Sequence, residues 1–171
     1  MNKIAKFEKV SFEQFKNDWV NAFPLASEER IRMIYNEIPL PTRSTLGSAG
    51  YDFYLPDEIY LCKNASIVIP TGIRCKIDEG WVLTMFPRSG HGFKYGIHLA
   101  NTVGIIDSDY FGAKNEGHIQ IKLINDSEIS KNIDFETHTA FCQGIFLPFG
   151  ITVDDEVEAM RVGGFGSTDK K

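Results

Sequence analysis

The chain has 171 residues, 18 of them Lys or Arg and 23 Asp or Glu, for a formal charge of −5. One domain, with or without appendages, accounts for that length, and 43% hydrophobic with 24% charged residues is a globular rather than a disordered composition. An acidic chain without a basic run excludes general duplex binding, which needs phosphate-neutralising Lys and Arg, yet single basic residues can still grip a small phosphorylated ligand.

Residues 1–40 carry a helical pattern. Ser11 followed by Gln14 predicts a capping box. Phe12, Phe15, Trp19 and Phe23 then recur at spacings of three and four, on one face of a helix that Pro24 ends. Ser27, Glu28 and Glu29 open a second short helix with acids at its positive end. Ile31, Ile34 and Tyr35 form its apolar side, and Pro39 and Pro41 stop it. This stretch reads as a helical extension packed on a larger body.

From about Ala49 the helical period is lost. Short apolar runs at 66–69, 73–77, 81–86, 119–124 and 144–149 read as strands, with Pro70-Thr71-Gly72 and Asp78-Glu79-Gly80 as turns between the early ones. That spacing predicts an all-β barrel or jelly roll over residues 41–152. Residues 153–171 differ again: Asp154, Asp155, Glu156 and Glu158 precede Arg161-Val162-Gly163-Gly164-Phe165-Gly166-Ser167-Thr168. Three glycines around one Phe favour neither helix nor strand, so this segment reads as a flexible C-terminal arm.

Cys62, Cys75 and Cys142 are odd in number and widely spaced, which predicts reduced thiols rather than a disulfide framework or a structural zinc site. His91, His98, His118 and His138 form no ligand cluster with them. No stretch approaches the roughly 20 apolar residues of a membrane span, and the N-terminus lacks the apolar core of a signal peptide. A cytoplasmic protein without membrane association is expected.

Four glycine-containing segments can carry chemistry. They are Gly47-Ser48-Ala49-Gly50-Tyr51-Asp52, Phe86-Pro87-Arg88-Ser89-Gly90, the stretch from Asn101 to Tyr110, and the Gly-rich tail. Arg88-Ser89-Gly90 offers a guanidinium, a hydroxyl and a backbone open to close approach, a set suited to phosphate oxygens. Alone it reads more readily as a surface turn with an incidental Arg. Asn101–Asp107 reads as a strand, a turn and a returning strand, able to present backbone groups to a planar ligand. Asp107, after two β-branched residues, can take a proton from water, or simply cap a local turn. The tail exposes backbone N–H groups as phosphate-gripping loops do, but has no Walker A lysine, and a Gly-rich terminus alone is usually a frayed end.

Their order is the informative feature. GSAGYDF, PRSG, NTVGIIDSDYFG, FCQGIFLPF and GGFGST follow one another along the chain. Together they resemble the five motifs of the homotrimeric dUTP pyrophosphatase (dUTPase) family, over about Leu40 to Thr168. The Asn115-Glu116-Gly117-His118 stretch and the N-terminal segment resemble the bacterial and phage branch. The resemblance implies a jelly-roll-like β-barrel, a homotrimer with composite active sites, and a C-terminal arm that closes over a neighbour's site. It implies Mg²⁺-assisted hydrolysis of dUTP to dUMP and pyrophosphate, which limits uracil in DNA and supplies dUMP for dTTP synthesis.

The resemblance also assigns roles. Asp107 matches the general base that activates water for in-line attack on the α-phosphorus. Asp52 matches a carboxylate that meets Mg²⁺ through water. Arg88, Ser89, Gly90 and Gln143 match phosphate contacts. Asn101, Gly104 and Ile106 lie on the hairpin whose backbone reads the uracil edge, and Tyr110 matches the aromatic packed under deoxyribose. Phe165 and Gly166 match the arm segment that stacks on uracil; Arg161, Ser167 and Thr168 match its γ-phosphate contacts. Two departures stand out: Val162 alone separates Arg161 from the glycines, and Asp169 replaces the glycine usual after Ser-Thr.

The related dCTP deaminase needs a different acid–base residue, and the intact Ile105–Tyr110 segment argues against it. No stable nucleic-acid partner is expected. If the chain is phage-encoded, a regulatory protein partner sensing nucleotide is a further expectation, with the N-terminal helices and the 113–117 loop as its surface.

Overall fold

Ser11 caps the first helix, its Oγ accepting the Gln14 N–H at 3.1 Å. The rest of the capping arrangement is not the local one. The Gln14 amide turns to Asp18, four residues on (2.7 Å), and the Ser11 N–H goes instead to Glu116, 105 residues away (2.7 Å). A charged carboxylate is the stronger acceptor, and Asp18 lies within the i,i+4 reach of Gln14. The computed structural model describes residues 2–126, 131–157 and 163.

In chain order the elements are β1 (Ala5–Lys9), α1 (Phe12–Ala22), α2 (Glu28–Glu37), β2 (Tyr51–Tyr54), β3 (Ile59–Leu61), β4 (Ser66–Pro70) and β5 (Ile73–Ile77). Then come β6 (Trp81–Pro87), α3 (Ser89–Tyr95), β7 (Ile97–Leu99), β8 (Gly104–Ile106), a 3-10 turn (Ser108–Gly112), β9 (Gln120–Asn125), β10 (Ile133–Phe135) and β11 (Ala140–Pro148). Both long helices end one residue before the residue that precedes a proline, Phe23 before Pro24 and Ile38 before Pro39. The ring of a proline drives its predecessor out of the helical region.

The architecture is an all-β jelly roll with helices at its front. Among the described residues four antiparallel sheets make it, in orders β2-β11-β6-β8, β4-β9-β7, β1-β5 and β10-β3. β5 buries alternate residues, with Ile73, Cys75 and Ile77 inward, as a half-solvated strand must. β6 instead buries Leu83, Thr84 and Met85 consecutively, so both of its faces are covered there. The core joins Phe53, Leu55, Leu83, Met85, Leu123 and Phe141 from strands and connections. Phe15 and Trp19 of α1 and Ile31 and Ile34 of α2 belong to the same cluster. Each such side chain contributes about 1.5–3 kcal/mol by burial.

The N-terminal stretch is more than helical. β1 pairs with β5 from Ala5↔Ile77 to Lys9↔Ile73, and Phe7 packs against Tyr51, Phe53 and Phe146. A buried polar contact joins α1 to the body. His118 is fully buried; its Nε2 accepts the Gly72 N–H (2.8 Å), which leaves the ring proton on Nδ1, facing Asp18 at 2.5 Å. Gly72 sits at φ +74°, and an added Cβ would strike Ile38.

Burial opposes charge on Asp18, but hydrogen bonds from His118 and Gln14 outweigh it and hold the carboxyl below its ordinary pKa. A depressed folded-state pKa stabilises the fold above the ordinary carboxylate range, and that contribution is lost as pH falls through the depressed value. Urea melts as a function of pH should therefore show a smaller acid-side loss of midpoint in Asp18→Asn than in wild type. Parallel curves would remove Asp18 from the acid response. Among the described residues no helix is long and apolar enough to cross a membrane.

Candidate active site

Strand register builds the first half of the site. Gln143 of β11 lies opposite Asp52 of β2 on one side and Phe86 of β6 on the other. The three stand in one row across the sheet, with strands about 4.8 Å apart. Arg88 follows directly at the end of β6, and its Nη1 lies 3.3 Å from Asp52 Oδ2. Ser44 Oγ donates to the same oxygen at 3.0 Å, and Gln143 Nε2 donates to the Pro87 carbonyl at 3.3 Å. Asp52 is buried, and a buried carboxylate is tolerable only when paired and hydrogen-bonded, as here. The Arg88 side chain remains 38% exposed, so its guanidinium can serve Asp52 and an anion together.

Gly50 packs against the Gln143 side chain, whose end would have to move aside for an added Cβ. Arg43 closes the neighbouring loop by donating to the carbonyls of Leu46 (3.0 Å) and Ser48 (2.9 Å). Behind the row, Cys142 is fully buried; burial first, and the Asp52 charge second, push its thiol well above the ordinary range. It is a packing residue, not a nucleophile. Ser89 and Gly90 form the exposed first turn of α3, where helix N–H groups have no intrahelical partners. The short helix after Arg88 was not foreseen from the sequence. It carries two glycines and closes on Gly96 at φ +64°, whose N–H returns to the carbonyls of Gly92 and His91.

The second half lies around β8. The turn before it is tight: Thr102 N–H bonds the Leu99 carbonyl (3.0 Å), and Val103 N–H bonds the Asn101 carbonyl (2.6 Å). Thr102 takes φ +62°, a strained setting for a β-branched residue and one often found at ligand sites. The expected hairpin is not a paired one. β7 joins β9 in one sheet and β8 joins β6 in another, so the reversal carries the chain from sheet to sheet.

β8 ends its sheet, so its outer backbone edge has no strand partner among the described residues. Gly104 lies against Met85, where a Cβ would come within 3.0 Å. Ile106 points into the core, leaving only its backbone to offer, and Asn101 is exposed. Asp107 follows, half-buried, at the head of the 3-10 turn. Tyr110 is 5% exposed; its hydroxyl donates to the His118 carbonyl (2.9 Å) and accepts from Asn115 (2.7 Å).

The two halves are not adjacent within one chain. Ile106 pairs with Leu83, so Asp107 lies beside the start of β6, whereas Arg88 lies past its end. By register Asp107 falls level with Val82, and six residue steps along the strand from there to Arg88 make roughly 20 Å. Arg161, Phe165, Gly166, Ser167 and Thr168 lie outside the described residues.

Among the described residues no three His, Cys, Asp or Glu side chains gather closely enough to cage a metal. A lone, Arg-paired carboxylate suits a hydrated Mg²⁺ met through water rather than a direct cage.

Comparison with known proteins adds the following. The dUTPase family model matches residues 36–169. The deoxyuridine 5'-triphosphate nucleotidohydrolase of Lactococcus lactis is 37% identical over 134 residues, 77% of this chain and 88% of that protein. The crystal structure of a dUTPase from Streptococcus mutans superposes with a TM-score of 0.64 at 29% identity, over 85% of this chain and 97% of that one. A mutant dUTPase from phage phi11 of S. aureus, described with a structural Mg(II) ion, superposes at 0.61 and 16% identity, over 92% of this chain and 98% of that one. That last likeness shows the fold alone.

Proposed function

The chain belongs to the dUTPase family, and from that premise we propose that it hydrolyses dUTP to dUMP and pyrophosphate by attack of an Asp107-activated water on the α-phosphorus. The observation that carries the residue-level reading is the row Asp52–Gln143–Phe86 with Arg88, at the end of β6, bridged to Asp52. Arg88, Gln143 and the first turn of α3 at Ser89 and Gly90 grip the phosphate chain. The open edge of β8, from Gly104 to Ile106, with Asn101 at the turn before it, pairs with the uracil edge. Cytosine, with its donor and acceptor reversed, leaves buried groups unpaired and is rejected. Tyr110 packs against deoxyribose. Phe165 and Gly166 cover the base, while Arg161, Ser167 and Thr168 meet the γ-phosphate when the arm closes.

Asp107 takes the proton of the attacking water and holds that water in line. For displacement at phosphorus, such positioning and charge neutralisation supply most of the acceleration. Mg²⁺ bound with the triphosphate would neutralise the pyrophosphate charge, and Asp52 would hold it through water.

The roughly 20 Å between Asp107 and Arg88 in one chain supports a composite site. A general base must lie within hydrogen-bond reach of the proton it takes. Asp107 of one copy and Arg88 of another, in a homotrimer, satisfy both demands. The reading places the enzyme in the cytoplasm, limiting uracil in DNA and supplying dUMP for dTTP synthesis.

The test is pyrophosphate release from dUTP, dCTP, dTTP and UTP with Mg²⁺, for wild type and for mixed subunits. Release from dUTP far above the others is expected. Asp107→Asn and Arg88→Ala chains, each inactive alone, should regain part of the activity when unfolded and refolded together. No release from dUTP refutes the activity; no recovery on mixing refutes the shared site.

A further inference from the structure

Tyr110 is tied to the N-terminal helix by a continuous series of contacts. Its hydroxyl donates to the His118 carbonyl (2.9 Å), and the buried His118 ring donates in turn to Asp18 of α1 (2.5 Å). Two residues earlier on the same loop, Glu116 accepts both the N–H and the hydroxyl of Ser11, the cap of α1, at 2.7 and 2.6 Å. A second strap holds the neighbour of Tyr110. The Arg74 guanidinium lies 3.9 Å from the Phe111 ring centre and pairs at 3.2 Å with Glu8 of β1.

The loop between these points has little slack. Glu116 and Gly117 both take left-handed φ, +57° and +69°. A Cβ on Gly117 would come within 2.7 Å of the Tyr110 carbonyl and 2.8 Å of Phe111 Cα. A shift of residues 116–118 therefore passes to Tyr110 and Phe111 rather than being absorbed. Glu8, Ser11 and Asp18 all precede residue 36, where the family match begins. The tether is an addition to the matched region.

We infer that Asp18, acting through His118, is a positioning residue for Tyr110, and that the N-terminal segment thereby sets how strongly the enzyme rejects a ribose 2′-hydroxyl. This rests on the reading that Tyr110 packs against deoxyribose. Steric exclusion of one hydroxyl depends on the ring being held to a fraction of an ångström, which a supporting shell must supply. Asp18 touches no substrate in this arrangement; it fixes the residue that does.

The experiment compares kcat/KM for dUTP and UTP in the full-length chain. Their ratio does not depend on the amount of active enzyme, so destabilisation alone leaves it unchanged. Asp18→Ala should lower the dUTP:UTP ratio by about tenfold, the scale of losing a supporting partner. Asp18→Asn retains an oxygen for the His118 Nδ1–H and should keep the ratio within about threefold of wild type. Tyr110→Phe keeps the ring but loses the bond to the His118 carbonyl, and should fall with Asp18→Ala. Tyr110→Leu removes the ring and should lower the ratio at least as far.

An unchanged ratio in Asp18→Ala and Tyr110→Phe, with a lowered one in Tyr110→Leu, overturns the tether and leaves the role of Tyr110 standing. An unchanged ratio in Tyr110→Leu overturns that role and the inference built on it. If Asp18→Ala does not fold, Asp18→Leu, close to Asp in shape and unable to accept the His118 ring N–H, takes its place with the same expected fall, and an unchanged ratio there overturns the tether.

Discussion

Asp107→Asn is expected to lower kcat for dUTP by about 10²- to 10⁴-fold, the range a positioned general base supplies. Binding of a non-hydrolysable dUTP analogue should stay within about threefold of wild type, because Asn keeps the shape and the hydrogen-bonding capacity of Asp and loses only its ability to take a proton. The local backbone should tolerate the change. Asp107 heads the 3-10 turn, but its side chain makes no capping bond to that turn, whose closure rests on backbone bonds such as Tyr110 N–H to the Asp107 carbonyl (3.2 Å). Steady-state pyrophosphate release and calorimetric titration on one preparation separate the two quantities. A kcat within tenfold of wild type would dismiss Asp107 as the base. Weakened binding with normal kcat would make it a substrate contact instead.

Phe15→Ala should cost about 3–5 kcal/mol, as truncation of a fully buried aromatic does when the site cannot collapse. Phe15 has no exposed surface, packs 5.2 Å from the Trp19 ring and 5.6 Å from that of Tyr35, and lies against Gly72 between β4 and β5. Its neighbours thus belong to both the helices and the barrel. Urea unfolding at fixed protein concentration should shift as a single transition, followed both by the helix signal in circular dichroism and by the amide I band of the sheets. A separate early transition that leaves the barrel midpoint unchanged would show α1 and α2 to be a detachable layer.

The sequence displayed the elements whose patterns are their own. β4 and β6 carry apolar residues in runs, β5 alternates them with charges, and the stripe Phe12–Phe15–Trp19–Phe23 is visible without any partner. β1 was invisible for the opposite reason. Lys6, Glu8 and Lys9 flank a single inward Phe7, and the edge of β5, not local propensity, makes this segment a strand. α3 was hidden by Gly90 and Gly92, poor helix formers held between Pro87 and the left-handed Gly96. Strands of three residues such as β3, β7 and β10 are too short to show a period.

The site divides the same way. Ordered motifs named Asp52, Arg88, Asp107 and Gln143, but the row that joins Asp52, Gln143 and Phe86 is a matter of register, which no single segment encodes. The partners of Ser11 and Asp18 lie 105 and 100 residues downstream, beyond any local pattern.

That last separation has a consequence for synthesis. Residues 5–38 leave the ribosome before β5 exists to receive β1, and before Glu116 and His118 exist to receive Ser11 and Asp18. At roughly 5–20 residues per second, the interval between Asp18 and His118 lasts on the order of 5–20 s. Until β4 and β5 emerge, Phe15 and Trp19 can find only the second helix as cover, and the bonds of Ser11 and Asp18 must wait longer still, for residues 116–118.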